Sequence, residues 1–114
     1  MASSRQAFGA YGERLAAQWY EKQGYEVLAR NWRCREGELD LILARDSTVV
    51  FCEVKARATN AYGSGLEAVT PAKQARIRRL AVRFLAEAAL GRRELRFDVA
   101  AVTGTELHVV EAAF

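Results

Sequence analysis

Two short runs carry acidic and basic side chains that could do chemistry together: Glu38-Leu39-Asp40 and Glu53-Val54-Lys55. They lie in GELDLILARDSTVVFCEVKAR, where Leu39, Leu41 and Leu43 alternate with Glu38, Asp40 and Ile42, and β-branched and aromatic residues enrich VVFCEVK. That pattern predicts two strands, with Asp46-Ser47 as the polar turn between them. A two-residue loop sets Arg45 against Thr48, and the register then puts Asp40 opposite Glu53 and Glu38 opposite Lys55. Opposed residues share a sheet face, with Cβ atoms roughly 4.5–5.5 Å apart. Carboxylates and an ammonium would converge on one patch. A bulge or a longer loop would separate them, because one residue of slip exchanges the faces.

Two carboxylates about 5 Å apart repel by roughly 3 kcal/mol at an effective dielectric near 20. A cation, a neighbouring lysine or a retained proton would offset that cost. Mg²⁺ suits the pair, since it takes oxygen ligands and is commonly held by one or two carboxylates plus substrate phosphate. The competing reading is a solvated strand face on which Glu53 pairs with Lys55. A pattern this short does not choose between the two.

Other elements must position this hairpin. Ser3 or Ser4 can cap a first helix that runs to about Gln23, with Gly24 as its stop. Phe8, Tyr11, Leu15 and Trp19 recur at helical spacing as its expected buried stripe, flanked by Gly9, Gly12 and Ala16. The small residues would let the helix come close to a sheet. Glu13 falls at the edge of this small-residue side, as an ordinary exposed helix glutamate or as a group pointing along the seam towards the carboxylates. Tyr25 to about Trp32 reads as the first strand. Residues 56–69, with Asn60, Tyr62, Gly63, Ser64 and Gly65, read as a loop after Lys55 that would hold substrate or simply cross over, with Tyr62 as a stacking or anchoring group.

Thr70-Pro71 opens a second helix, with Ile77, Leu80, Ala81, Phe84 and Ala88 as its apolar face and Gly91 as its exit. LRFDVAAV and ELHVVEA read as closing strands. Asp98, set among apolar residues, should meet an arginine, a lysine or a backbone donor if it is buried. His108 reads as a surface residue.

The chain of 114 residues fits one domain, residues 1–114. At 51% hydrophobic and 27% charged residues it falls with globular rather than disordered chains. No apolar run reaches bilayer length and the start has no signal-peptide core, so a cytoplasmic protein away from membranes is expected. Cys34 and Cys52 lack metal-motif spacing, and Cys52 reads as a small core residue. The net charge of +3 is unevenly spread: residues 71–96 hold eight basic residues against two acidic ones. Such a band is either a solvated helix face or a surface for a polyanion. Lys73, Arg76 and Arg79 within it, and Arg57 outside it, are candidate phosphate contacts on nucleic acid.

The order of elements, with GELDLI and FCEVKAR on adjacent strands, resembles the restriction-endonuclease-like PD-(D/E)XK superfamily. More closely, the chain resembles the uncharacterised bacterial YraN family, related in fold to Holliday-junction resolvases. The similarity runs through Gly12-Glu13, Asn31, Gly37–Ile42, Glu53–Arg57, Lys73 and Arg96–Val99. It implies an α/β, restriction-endonuclease-like core: a central mixed β-sheet flanked by two main helices in the order αβββαββ. It also implies that Asp40 and Glu53 are metal-binding catalytic carboxylates, that Lys55 is the motif lysine, and that Glu13 is the first-helix acidic residue near them. The proline that often precedes the motif aspartate is replaced by Leu39. The activity so implied is Mg²⁺-dependent cleavage of DNA, with Mn²⁺ able to substitute. A homodimer would suit the paired cuts of junction-cleaving relatives. The rival expectation is a non-catalytic nucleic-acid or protein-interaction module on the same fold.

Overall fold

The computed structural model describes residues 4–57 and 69–114, with side chains from Gly9 onward. The expected loop residues Asn60, Tyr62, Gly63, Ser64 and Gly65, the cap at Ser3 and the Phe8 side chain lie outside the described residues. The elements follow the order α1 (Ser4–Glu21), β1 (Glu26–Cys34), β2 (Gly37–Arg45), β3 (Thr48–Arg57), α2 (Pro71–Ala88), β4 (Glu94–Thr103) and β5 (Glu106–Val110). The fold is mixed α/β, with the order αβββαββ expected from the sequence.

One five-stranded sheet runs β1-β2-β3-β4-β5. β3 and β4 are parallel and the other neighbouring pairs are antiparallel. Alternation along the strands divides the core into two layers. Val49, Phe51, Phe97 and Val99 pack with Ile77, Leu80, Ala81 and Phe84 of α2. Val50, Cys52 and Ala100 pack with Ala16, Ala17 and Tyr20 of α1. The sheet is thus covered on both faces, which accounts for the nearly continuous apolar run from Val49 to Cys52.

The buried side of α1 differs from the stripe expected from spacing. Ala16, Ala17 and Tyr20 are fully buried, while Tyr11, Leu15 and Trp19 are only half-buried. Close approach to the sheet explains the change. A Cβ placed on Gly12 would lie 2.9 Å from Ala56 Cβ and 3.5 Å from Val54 Cγ1. The small residues therefore form the contact itself, and the bulky stripe is turned to its margin.

α2 starts as expected, with Thr70 Oγ1 accepting the Lys73 backbone N–H at 3.2 Å and Pro71 in the first turn. It ends earlier than Gly91. Ala89 takes the left-handed conformation (φ 52°, ψ 41°), and Leu90 packs against the α2-side core. Burial of Leu90 offsets the cost of a left-handed alanine.

Asp98 is fully buried and satisfied by the partners its setting demands. Arg96 donates to both carboxylate oxygens at 2.9 Å, Tyr20 Oη donates at 2.6 Å, and the Ala112 N–H donates at 2.9 Å. This network ties α1, β4 and the segment after β5 together on the α1 side of the sheet. His108 is exposed, as expected, and Cys52 is buried.

Candidate active site

The β2–β3 hairpin turns where the sequence places it. Asp46 adopts φ 54°, and Arg45 pairs with Thr48. The register then holds through Ala44↔Val49, Leu43↔Val50 and Ile42↔Phe51 as far as Leu41↔Cys52. There the ladder ends, so Asp40–Glu53 and Glu38–Lys55 are not ladder partners, contrary to the simple extrapolation. Beyond that point the Val54 N–H donates to Asp40 Oδ2 at 2.9 Å. The aspartate side chain takes the place of a main-chain acceptor, and the strands diverge around a cleft of about 380 Å³ whose wall includes Asp40, Glu53, Lys55, Lys73 and Arg76.

A matching irregularity lies on the other side of β2. Arg30 pairs with Leu41 and Trp32 with Leu39, leaving Asn31 and Asp40 at the intervening positions. Asn31 has φ 50°, a left-handed conformation that asparagine tolerates better than most residues. Across this point the strands change face. Leu41 packs on the α1 side, whereas Leu39 and Trp32 both pack on the α2 side. Asn31 also donates from Nδ2 to Glu13 Oε2 at 2.9 Å. Reading strand propensity alone missed this role; the available signal was an asparagine within an otherwise strand-like YEVLARNW run.

The two carboxylates share one electrostatic problem. Glu53 is 5% exposed. Burial, and then the Asp40 charge, push its carboxyl up to about 7. Burial likewise raises Asp40, against the Val54 hydrogen bond and the lysine charges, which favour ionisation. Lys73 Nζ stands 3.5 Å from Glu53 Oε1. The partner of Glu53 is thus Lys73 from α2, and not Lys55 across an open strand face. Lys55 is half-buried, and burial followed by the hydrogen bond and charge of Lys73 lower its pKa. Asp40, Glu53, Lys55 and Lys73 therefore share one partly enclosed cleft.

Of the remaining candidates Glu13, Arg57, Arg76 and Arg79, only Arg76 is on the cleft wall. Glu13 is raised mainly by burial, with Asp40 and Glu38 adding to the shift. It accepts from Asn31 at the β1–β2 seam and is not part of the cleft wall. Glu38 lines the cleft but pairs with Arg33 at 2.7 Å. Arg76 lines the cleft, Arg79 lines a neighbouring cavity, and Arg57 is half-buried at the end of β3. Among the described residues, no group of three or more His, Cys, Asp and Glu side chains is assembled for a metal. The carboxylates on the cleft wall are Glu38, which is exposed and held by Arg33, and the more buried Asp40 and Glu53. Asp40 and Glu53 offer hard-oxygen donors. They fit Mg²⁺, which is satisfied by one or two carboxylates when water or phosphate completes its shell. A divalent charge would also relieve the mutual repulsion that raises Glu53.

No helix among the described residues is long and apolar enough to cross a membrane. The family model for the uncharacterised protein family UPF0102 matches residues 12–102, a span that contains Glu13, Asn31, Asp40, Glu53, Lys55 and Lys73. A UPF0102 protein of Beutenbergia cavernae is 54% identical over 102 residues, covering 90% of this chain and 86% of that one. One from Parafrankia sp. is 53% identical over 97 residues, covering 85% and 82% of the two chains. One from Acidothermus cellulolyticus is 44% identical across 99% of this chain and 97% of its own. With more than half its length matched by the family model and relatives this similar over most of both chains, the chain belongs to the uncharacterised protein family UPF0102.

Proposed function

We propose that this protein is a metal-dependent nuclease that hydrolyses phosphodiester bonds in DNA in the cytoplasm. Branched DNA is the substrate suggested by the resemblance to Holliday-junction resolvases, and a homodimer is the assembly that paired cuts would need. The observation that carries the reading is the sharing of one cleft by Asp40, Glu53 and Lys55, with Glu53 held up to about 7 by burial and by Asp40. Like-charged groups at such a cost are expected at functional sites more than at ordinary surfaces.

Asp40 and Glu53 would hold Mg²⁺, or Mn²⁺ in its place. Bound there, the ion would supply Lewis-acid activation of water and neutralise charge on the phosphate. The chain's own residues do the rest. The Val54 N–H fixes the Asp40 carboxylate, and Lys73 fixes Glu53 while adding positive charge. Lys55, lowered by burial and by Lys73, gives up its proton more readily than an ordinary lysine and is suited to orient a water or donate to a phosphate oxygen. Asn31 holds the Glu13 carboxylate, whose charge Asp40 feels, and Glu13 would reach the ion only through water.

A second reading, a non-catalytic nucleic-acid or protein-interaction module, is favoured by one observation: Glu53 already pairs with Lys73 within the chain. Purified protein incubated with junction and duplex DNA in Mn²⁺ separates the two. Cleavage that is lost in chelator and in Glu53→Ala, prepared identically, is the expected result. Equal cleavage by both proteins reveals contamination, and no cleavage by either supports the binding module.

A further inference from the structure

Most of the basic band between residues 71 and 96 is occupied by the fold. Arg78 lies over the rings of Phe97 and Phe114, 4.6 and 5.6 Å from their centroids. Arg83 pairs with Glu36 and Glu87. Arg93 donates to the Leu90 and Asp46 carbonyls, and Arg96 to Asp98. Lys73 is committed to Glu53. Arg76 and Arg79 are exposed and, among the described residues, have no hydrogen-bond or ion-pair partner.

These two arginines wall a cavity of about 300 Å³ together with Glu36, Leu80 and Arg83. Arg76 also lines the Asp40–Glu53 cleft, so the two cavities share one arginine. Lys73, Arg76, Arg79 and Arg83 follow at three- and four-residue steps, which places them along one side of α2. At 1.5 Å of rise per residue, Arg79 lies about 9 Å along the axis from Lys73, and Arg83 about 15 Å. A duplex strand advances about 3.4 Å per nucleotide, so the row covers roughly three to four steps. The far end is different in kind. Glu36 comes from the β1–β2 turn, accepts the Cys34 thiol at 3.2 Å and neutralises Arg83. Among the described residues, no aromatic side chain lines either cavity, whereas single-strand binders stack bases on such rings.

We propose that the Arg76–Arg79 cavity is a second phosphate site, holding the backbone of duplex DNA a few nucleotides from the bond in the cleft, and that the Glu36–Arg83 pair closes its far end. The proposal rests on the nuclease reading for the identity of the cleft. Recognition here is by backbone position and not by base sequence.

The test measures binding of the full chain to a fluorescein-labelled mixed-sequence duplex by anisotropy, in chelator, over a range of KCl. Removing one phosphate contact with Arg79→Ala should lower the slope of log affinity against log salt by about 0.9, and Arg79→Lys should restore it. Arg92→Ala, which removes an exposed charge outside both cavities, should leave the slope at the wild-type value. Glu36→Gln removes the closing carboxylate and should tighten binding and steepen the slope. Equal losses in Arg79→Ala and Arg92→Ala would reduce the effect to net charge and overturn the site. Unchanged or weaker binding in Glu36→Gln would overturn the closing role, and tighter binding of a single strand the duplex assignment. Absence of duplex binding by the wild type would overturn the whole proposal. Mn²⁺-dependent hydrolysis of bis(4-nitrophenyl) phosphate by the wild type decides the cleft chemistry independently.

Discussion

The Val54 N–H points at Asp40 Oδ2 across 2.9 Å, at the place where β2 and β3 stop pairing through their main chains. One carboxylate oxygen thus serves the fold while the group still lines the cleft. Asp40→Asn keeps an oxygen for Val54 and removes a charge that opposes Glu53, so thermal melts should show unchanged or slightly increased stability, by about 1 kcal/mol. Asp40→Ala leaves the Val54 N–H without that acceptor and should cost about 1–3 kcal/mol, less whatever repulsion is relieved. Both should lose the rise in melting temperature that Mn²⁺ gives the wild type. Retention of the full rise in Asp40→Asn would remove Asp40 from the ligand set.

Stability of the metal-free protein should depend on pH through Glu53. Its folded-state pKa is raised to about 7, above the value near 4.3 expected for an unfolded chain. The folded protein therefore keeps a proton that the unfolded chain has released. Stability falls as pH rises between those two values and then levels off. Asp40, also raised, adds to the same slope. Urea unfolding across this interval should show the decline, and Glu53→Gln should flatten most of it. The stabilisation by Mn²⁺ should grow over the same interval, because the ligands must lose their protons to bind.

Gly12 and Gly9 make a paired test of how α1 is seated. A Cβ on Gly12 meets Ala56 Cβ at 2.9 Å, whereas one on Gly9 meets nothing within 4 Å. Gly12→Ala should push α1 from β3 and cost about 1–3 kcal/mol. Gly9→Ala should be neutral or stabilise by up to about 1 kcal/mol through helix propensity. Denaturant midpoints read both. A harmless Gly12→Ala would mean that the helix seats more loosely than the structure has it.

Tyr20→Phe separates the buried scaffold from the cleft. Tyr20 Oη donates to Asp98, which retains Arg96 and the Ala112 N–H when the hydroxyl is removed. Loss of one hydrogen bond to a buried charge should cost about 1–3 kcal/mol. The Mn²⁺-induced shift in melting temperature should persist, since neither cleft carboxylate is touched. A lost shift would show that the Asp98 network and the cleft are coupled.

Local pattern was enough to read the helices, the strands, the Asp46-Ser47 turn and the order αβββαββ, because periodicity, caps and turn residues act over a few neighbours. It also pointed to Asp40, Glu53 and Lys55 as a set, although the register that grouped them holds only as far as Leu41 and Cys52. Tertiary structure decided what lies beyond the reach of pairing rules. The face change at Asn31 and Asp40 arises from a left-handed residue in β1 and a side chain that replaces a main-chain acceptor, and neither leaves a period in the sequence. Lys73 meets Glu53 only because α2 crosses the α2-side face between two parallel strands. The buried side of α1 went to Ala16, Ala17 and Tyr20, because the distance between helix and sheet, set by Gly12 against Ala56, outweighed the size of the apolar stripe. Charge behaved likewise: eight basic residues in a row of sequence read as one band, but packing spends most of them on carboxylates, carbonyls and rings, and only proximity in space shows which remain for a ligand.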